Sequence, residues 1–384
     1  MRLGFKLWQV AVVLILLLTL IRALKDDGPN NRSEREVNEP IQIHSNQLKF
    51  YSIGDYGVSE CERTKAHKKC KAKTQAAVAQ HINTDALSFK PDFILSLGDA
   101  FYPFGPSSLE DNQFRNSFEK PYNLPNIKDL HWQMTIGDHD HCGNMSALLA
   151  YGKGQRSQNW EEGPGLHRDS FQLPSPYYHK TFTINPGKKL FHIIVIDSVG
   201  LEGSVSEWSE RRFSDKLNRK DAGASEARLQ WAWLESTLAK ASLSANPRLV
   251  MLVGHRPVFS AATRGRTIAE LRVSNRLRTL LSQFGVSAYL HGHDHIMQHI
   301  HCQGVEHMGN GVGGFSLHKI NGTLWPNEGE HKLIWSSNSF HGFARHTVSS
   351  LGMRVEFVQY EHTKSPGKGS VVHQVDVPFR GGFI

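Results

Sequence analysis

A chain of 384 residues, with 39% apolar and 21% charged residues, can bury a sizeable core and lies at the upper end of the size of one domain. Its formal net charge of +8 favours anionic partners, but the basic residues are scattered, without interleaved aromatic residues or a recognisable nucleic-acid module. We therefore expect no nucleic-acid partner, and we expect one catalytic domain that works as a monomer.

The first 25 residues are typical of a membrane anchor. A basic start containing Arg2 and Lys6 precedes an apolar run over residues 7–21. The residues that follow, 22–25, lack the small side chains of a signal peptidase site, and the charge balance leaves the N-terminus in the cytosol. We predict a single-pass type II membrane protein with a lumenal or extracellular catalytic domain. Cleavage after the apolar run would instead give a secreted protein.

Residues 26–44 are polar, charged and without periodicity, which favours a stalk before a catalytic domain at 45–384. Three tripeptides, at Asn31, Asn144 and Asn321, match the acceptor pattern for N-glycosylation and agree with a lumenal compartment.

The four cysteines make disulfides plausible in such a compartment. Cys61 and Cys70 close a short lysine-rich loop and are predicted to pair. Cys142 and Cys302 each lie beside a motif described below, so they form either a second disulfide or two buried thiols. A metal–thiolate site is disfavoured, because no Cys-x-x-Cys spacing occurs.

Short apolar runs bounded by glycine predict buried strands, and amphipathic stretches between them predict helices. The predicted strands cover residues 48–53, 93–97, 132–136, 191–196, 249–253 and 288–290, and the predicted helices cover 72–88, 227–241 and 268–284. Residues 203–223 are predicted to be a long polar connection. Strand and helix alternate, which indicates an α/β fold with a mostly parallel sheet. Beyond Val305 the chain alternates without a helix, which favours a second, more antiparallel sheet packed on the first.

Most of these strands end at a short motif that contains aspartate or histidine. The motifs are Gly54-Asp55-Tyr56-Gly57, Gly98-Asp99-Ala100-Phe101-Tyr102, Gly137-Asp138-His139-Asp140, Gly254-His255-Arg256-Pro257 and His291-Gly292-His293-Asp294-His295. A lone aspartate after a strand is usually a turn or a helix cap, but an ordered series offers enough oxygen and nitrogen ligands for two cations. We therefore predict a dinuclear metal site.

The order and spacing of these motifs resemble the purple acid phosphatases of the calcineurin-like metallophosphoesterase superfamily. The resemblance spans approximately residues 48–357 and implies a four-layer α/β/β/α sandwich with the metals at the carboxyl edge of its sheets. It also implies an acid phosphatase that hydrolyses small phosphomonoesters with metal-bound hydroxide, which the predicted anchor would hold at a membrane.

The resemblance assigns a role to each motif residue. It implies that Asp55, Asp99, Tyr102 and His295 bind the first metal. It implies that Asp138, His255 and His293 bind the second, with Asp99 bridging both. A phenol binds metal well as phenolate, which a trivalent cation stabilises, so Tyr102 argues for Fe(III) beside a divalent Fe, Zn or Mn.

His139, next to Asp138, is implied to bind the phosphate and to assist the leaving group as an acid. Asp140 and His291 are interpreted as residues that orient the ligands.

Two positions depart from the family pattern. The family has asparagine where this chain has Asp138, whose extra negative charge tightens the metal but opposes an anionic substrate. Arg264 stands where the small mammalian-type enzymes place a substrate histidine, and a guanidinium binds phosphate but cannot donate a proton at working pH. Arg266 or Arg256 are alternatives for the same contact.

Two other functions stay open from the sequence. One is a phosphatase-like scaffold or receptor that is catalytically weak and works by binding. The other is a phosphodiesterase that uses two divalent metals, against which Tyr102 argues.

Overall fold

Two β-sheets carry the strands that lead to the motifs. The computed structural model describes residues 40–43, 45–59, 72–156, 169–203, 219–263, 266–325, 331–360 and 369–381. The predicted anchor, most of the predicted stalk, Asn31, the predicted Cys61–Cys70 pair and Arg264 lie outside these residues. Of the helices in the described part of the chain, none combines the length and the apolar character needed to cross a membrane.

The eight-stranded sheet contains, in spatial order, β1 (Ile41–Gln42), β6 (Tyr178–Ile184), β7 (Lys189–Val195), β8 (Arg248–Val253), β10 (Ala288–His291), β12 (Val305–Asn310), β11 (Met297–Cys302) and β14 (His331–Ser337). The seven-stranded sheet contains β17 (Ser370–Pro378), β16 (Gly352–Gln359), β15 (Gly342–Ser349), β2 (Gln47–Ile53), β3 (Phe93–Ser96), β4 (His131–Gln133) and β5 (Phe171–Gln172). A separate antiparallel pair joins β9 (Ser260–Ala262) and β13 (Ile320–Trp325).

Helices flank both sheets. The α-helices of the described residues are α1 (Ala72–Phe89), α2 (Lys120–Tyr122), α3 (Asp138–His141), α4 (Met145–Gly152), α5 (Arg219–Ser242) and α6 (Ile268–Gln283). A π-helical turn, Phe114–Glu119, precedes α2, and a 3-10 turn, Gly200–Glu202, follows β7.

The two sheets pack face to face through an aromatic core. Phe50 of β2 lies 6.1 Å, ring centre to ring centre, from Phe191 of β7 in the other sheet. Its neighbour Tyr51 points the opposite way, where its hydroxyl donates to Asp85 of α1 at 2.6 Å. This two-residue alternation places the sheet between the shared core and the helical layer. A second apolar cluster lies on the far side of the eight-stranded sheet and contains side chains of α5 and α6. The implied four-layer α/β/β/α sandwich is confirmed.

The predicted division of the strands between sheets is wrong. β2, β3 and β4 belong to the seven-stranded sheet, whereas β7, β8 and β10 belong to the other. The strands after Val305 are shared: β12 runs parallel to β10, and β15 to β17 extend the β2 sheet antiparallel. Hydrophobic periodicity predicts that a segment is a strand, but it carries no information about which distant strand provides its hydrogen bonds.

Helix α5 also differs from its prediction. It begins at Arg219, eight residues before the predicted start at residue 227, and so occupies the end of the segment predicted as a connection at 203–223.

Helix α6 matches its prediction closely, because a capping box defines its start. The Thr267 hydroxyl accepts the Glu270 N–H at 3.1 Å, and the Glu270 carboxylate accepts the Thr267 N–H at 2.8 Å.

The structure corrects the suggested Cys142–Cys302 disulfide, because it contains these residues as two buried thiols. Cys142 follows α3, and its Sγ donates to the Asp138 carbonyl oxygen at 3.2 Å. Cys302 ends β11, seven residues beyond His295, and a strand rises about 3.3 Å per residue. The strand therefore carries Cys302 roughly 20 Å away from the last motif, with which the motif beside Cys142 was expected to converge.

Asn144 is exposed and caps α4, since its side-chain oxygen accepts the Ala147 N–H at 3.2 Å. Asn321 lies in β13. Glycosylation at both positions stays a prediction.

Candidate metal centre

The sequence-predicted ligands meet at one edge of the two-sheet core. Strands β2, β3 and β4 are parallel to one another, and so are β8 and β10, so within each sheet their carboxyl ends lie on the same side. Asp55 and Asp99 follow β2 and β3, and His255 and His293 follow β8 and β10. Ligands from the two sheets therefore converge above the shared core.

Three of these residues have a left-handed backbone. Asp55, Asp99 and His293 have φ of 60°, 55° and 66°, a region that costs a non-glycine residue of order 1–3 kcal/mol. Glycines allow the close packing around them: a Cβ on Gly137 would lie 2.1 Å from Oδ1 of Asp99. Such local strain persists only where surrounding structure enforces it, and it often marks a functional site.

The first donor group joins Asp55, Asp99, Tyr102 and His295. The Tyr102 hydroxyl lies 2.7 Å from Oδ2 of Asp99, 3.1 Å from Oδ1 of Asp55 and 3.3 Å from Nε2 of His295. Nε2 of His295 lies 3.2 Å from Oδ1 of Asp55. Ligands about 2.0–2.2 Å from one cation have separations of this size.

The second donor group joins Asp138, His255 and His293. Oδ1 of Asp138 lies 2.9 Å from Nε2 of His255 and 2.8 Å from Nδ1 of His293, and these two nitrogens are 3.2 Å apart. Nε2 of His255 is also 3.5 Å from Oδ1 of Asp99. Asp99 therefore faces the first group with one carboxylate oxygen and the second group with the other, as a bridging ligand would.

For two of the histidines, a backbone carbonyl determines which ring nitrogen can bind a metal. Nδ1 of His255 donates to the Leu97 carbonyl oxygen at 2.8 Å, and Nδ1 of His295 donates to that of Ser316 at 2.9 Å. Because a carbonyl only accepts, Nδ1 carries a proton, so in the neutral ring the lone pair that a metal requires is on Nε2. His293 is reversed, with Nδ1 facing Asp138.

The burial and charges of the site shift its pKa values strongly. Burial is the largest influence on the pKa of Asp99 and raises it, but the charges of His255 and His139 and the hydrogen bond from His255 together hold that pKa below the ordinary range. The pKa of Asp138 is likewise lowered against burial, by the His293 charge and by hydrogen bonds from His255 and His293. Burial, followed by the Asp55 and Asp99 charges, raises the pKa of Tyr102 far above its ordinary value. Asp99 and Asp138 are therefore ionised, and Tyr102 stays a phenol unless a cation compensates the negative charge of its phenolate.

The donor set fits metal ions. Three carboxylates, three imidazoles and one phenol lie together, and all but Asp138 are almost completely buried. Burial of that many anionic groups is costly without compensating cations. Two subsets have ligand atoms close enough to share one ion: Asp138, His255 and His293, and Asp55, Asp99 and His255. His255 thus reaches both positions, whereas His295 and Tyr102 approach the first alone.

His139 and Asp140 contribute from the start of α3. Nδ1 of His139 donates to the Pro103 carbonyl oxygen at 2.7 Å, and its ring centre lies 4.2 Å from that of Tyr102. Buried Asp140 accepts the backbone N–H groups of Asp99, Phe101 and Gly137, and burial with the Asp99 charge raises its pKa to about 7. Asp140 therefore orients the loops after β3 and β4. His291 instead contacts the Gly292 carbonyl and Gln298.

The suggestion that Arg266 or Arg256 contacts phosphate in place of Arg264 stays a prediction, and the structure pairs both guanidinium groups with carboxylates. The Arg266 guanidinium forms a buried ion pair with Asp294. The Arg256 guanidinium pairs with Glu202 and lies 3.2 Å from Oε1 of Glu270. Both charges are already compensated by carboxylates.

Glu270 was not predicted from the sequence as a residue of the site. Its Oε1 lies 3.6 Å from Nε2 of His293, on the side of the ring opposite Asp138. The available signal was the Thr267-x-x-Glu270 capping box, which predicts a helix start but not a second contact to a ligand residue.

Comparison with known proteins agrees with this geometry. Residues 48–297 match the profile of the calcineurin-like phosphoesterase family. Human tartrate-resistant acid phosphatase type 5 is 32% identical over 319 residues, which cover 81% of this chain and 87% of the human protein. Purple acid phosphatase 7 of Arabidopsis thaliana is 24% identical, over 93% of this chain and 94% of its own length.

Solved structures show the same fold. GAP50, described as the anchor in the inner membrane complex of Plasmodium, superposes with a TM-score of 0.65 at 23% identity, over 88% of this chain and 90% of its own. At that identity the likeness concerns the fold alone. The family profile and the tartrate-resistant relatives carry the assignment: this chain belongs to the calcineurin-like phosphoesterase family and, within it, to the purple acid phosphatases.

Proposed function

We propose that the protein is an acid phosphatase that hydrolyses phosphomonoesters at a dinuclear metal site. The observation that carries this proposal is the pair of donor groups that share Asp99, with the Tyr102 phenol in the first group. The acid phosphatase names of its relatives support the same reaction.

The chain's own residues divide between the two metal positions. Asp55, Asp99, Tyr102 and His295 would hold the first metal, which we propose is Fe(III) because a phenolate prefers a hard trivalent cation. Asp138, His255 and His293 would hold a divalent Fe, Zn or Mn, with Asp99 shared. When bound, such a pair polarises a phosphoryl group and lowers the pKa of water.

His139 is the proposed acid for the leaving group. Its Nδ1–H donates to the Pro103 carbonyl oxygen, so Nε2 is the nitrogen that can face a substrate oxygen.

Asp138 distinguishes this site from the asparagine pattern of the family. Its full negative charge strengthens the second metal position and weakens the attraction of an anionic substrate, so a turnover below that of the asparagine enzymes is expected.

The substrate class is tested by comparing two model compounds with the purified full-length protein after loading with iron and zinc. We expect hydrolysis of p-nitrophenyl phosphate between pH 4 and 7, little hydrolysis of bis(p-nitrophenyl) phosphate, and loss of both activities after chelation. Preference for the diester, with activity restored by manganese alone, would replace the proposal by a divalent-metal phosphodiesterase. Folded, metal-loaded protein without turnover of either compound would favour a scaffold.

We also propose that residues 1–25 anchor the catalytic domain on the lumenal or extracellular side of a membrane. The support is the basic start and the apolar run over residues 7–21. In cells expressing the full chain, the protein should stay with membranes after an alkaline carbonate wash and should be digested by protease only when the lumenal side is accessible. Recovery from the medium with an N-terminus beyond residue 25 would contradict the anchor and indicate a secreted protein.

A further inference from the structure

Glu270 lies behind a proposed metal ligand. Its Oε1 is 3.6 Å from Nε2 of His293, while Nδ1 of the same ring is 2.8 Å from Oδ1 of Asp138. The imidazole therefore stands between the proposed second metal position and a buried carboxylate. At 3.6 Å the Glu270 contact is longer than a hydrogen bond, and a movement of roughly 0.5 Å would bring it within hydrogen-bond range.

The two oxygens of Glu270 have separate contacts. Oε2 accepts the backbone N–H of Thr267 at 2.8 Å and so completes the capping box of α6. Oε1 faces His293 and the Arg256 guanidinium, which lies 3.2 Å away. Helix capping therefore occupies one oxygen and leaves the other for the histidine.

Arg256 ties this carboxylate to the other histidine of the same metal position. It directly follows His255 in the chain, and its backbone N–H donates to the Ser198 hydroxyl at 2.9 Å. Its guanidinium also pairs with Glu202, so the group contains one arginine and two carboxylates, all largely buried. The arginine holds Glu270 in place without neutralising both acids.

We propose that Glu270 is a positioning residue that holds the His293 ring with Nδ1 toward the second metal position and makes that nitrogen a stronger ligand. Histidine ligands usually donate their other N–H to a carboxylate, carbonyl or water, and loss of that partner typically weakens metal binding 10- to 100-fold. For His255 and His295 the partner is a backbone carbonyl. For His293 it is the Glu270 carboxylate. This inference rests on the proposed dinuclear site.

Three variants separate the histidine contact from the helix cap. Glu270→Gln keeps a capping-box side chain and removes the charge, since glutamine also fits this position. Thr267→Ala removes the hydroxyl cap and leaves Glu270 facing His293. Glu270→Ala removes both contacts. Each full-length variant, freed of metal, is titrated with Zn²⁺ by calorimetry, and its thermal midpoint is measured without metal.

We expect wild type to bind Zn²⁺ in two steps, and His293→Ala identifies the step that belongs to the second position. That step should weaken 10- to 100-fold in Glu270→Gln and Glu270→Ala and should be unchanged in Thr267→Ala. The thermal midpoint should fall in Thr267→Ala and Glu270→Ala and change least in Glu270→Gln.

The opposite pattern would overturn the role of Glu270. If Glu270→Gln binds both Zn²⁺ ions like wild type, Glu270 serves only as the cap of α6, and the dinuclear site itself stands. If wild type binds no Zn²⁺ in either step, the proposed function fails, and this inference fails with it.

Discussion

Replacement of Asp99 by asparagine is expected to lower kcat/KM for p-nitrophenyl phosphate by about 10³-fold or more. Oδ2 of Asp99 lies 2.7 Å from the Tyr102 hydroxyl, and Oδ1 lies 3.5 Å from Nε2 of His255. Asparagine keeps a single oxygen and no charge, so it cannot serve both metal positions as an anion. Loss of the shared ligand should remove both metals or separate them.

The measurement pairs kinetics with metal content for Asp99→Asn and for Asp376→Asn. Asp376 is exposed and pairs with Arg354 on the outside of the seven-stranded sheet, so the same chemical change there should leave activity and metal content unaltered. Asp99→Asn protein that retained two metals and activity within tenfold of wild type would contradict the bridging role.

The second large effect is spectroscopic. We expect the iron-loaded protein to show a broad visible absorption band and Tyr102→Phe to lose it, because the band requires a phenolate bound to Fe(III). Tyr102 is the one tyrosine of the described residues whose hydroxyl lies within hydrogen-bond distance of Asp55, Asp99 and His295. Iron should also bind more weakly, since one anionic ligand is gone.

Tyr178→Phe is the matched control. The Tyr178 hydroxyl is buried and donates at 2.9 Å to the Met134 carbonyl oxygen, which belongs to neither donor group. Its removal should leave the absorption spectrum unchanged. A band that survives in Tyr102→Phe, or a colourless wild type that contains two divalent ions, would exclude the Fe(III)–phenolate site.

The sequence predicted the elements well because their determinants are local. The apolar runs at 48–53 and 249–253 become β2 and β8, and the amphipathic stretch at 268–284 becomes α6, which ends one residue earlier. The start of helix α5 was not predicted. Gly223 and the polar residues around it show no helical spacing of apolar residues, which is the signal that the prediction used. The motif residues were identified for the same reason: each directly follows a recognisable strand.

Only the tertiary structure decided how those strands pair and what supports the site. The chain's local pattern cannot distinguish one sheet from two, because pairing depends on contacts between residues far apart in sequence. For example, β2 pairs in antiparallel orientation with β15, which lies nearly 300 residues later in the chain. The same limit applies around the ligands. The carbonyls that set the His255 and His295 tautomers, and the Glu270 carboxylate behind His293, come from other elements. The sequence by itself determined which side chains stand at the strand ends. Packing of the two sheets decided that Asp99 lies between the two donor groups, because only that packing brings ligands from both sheets to one edge.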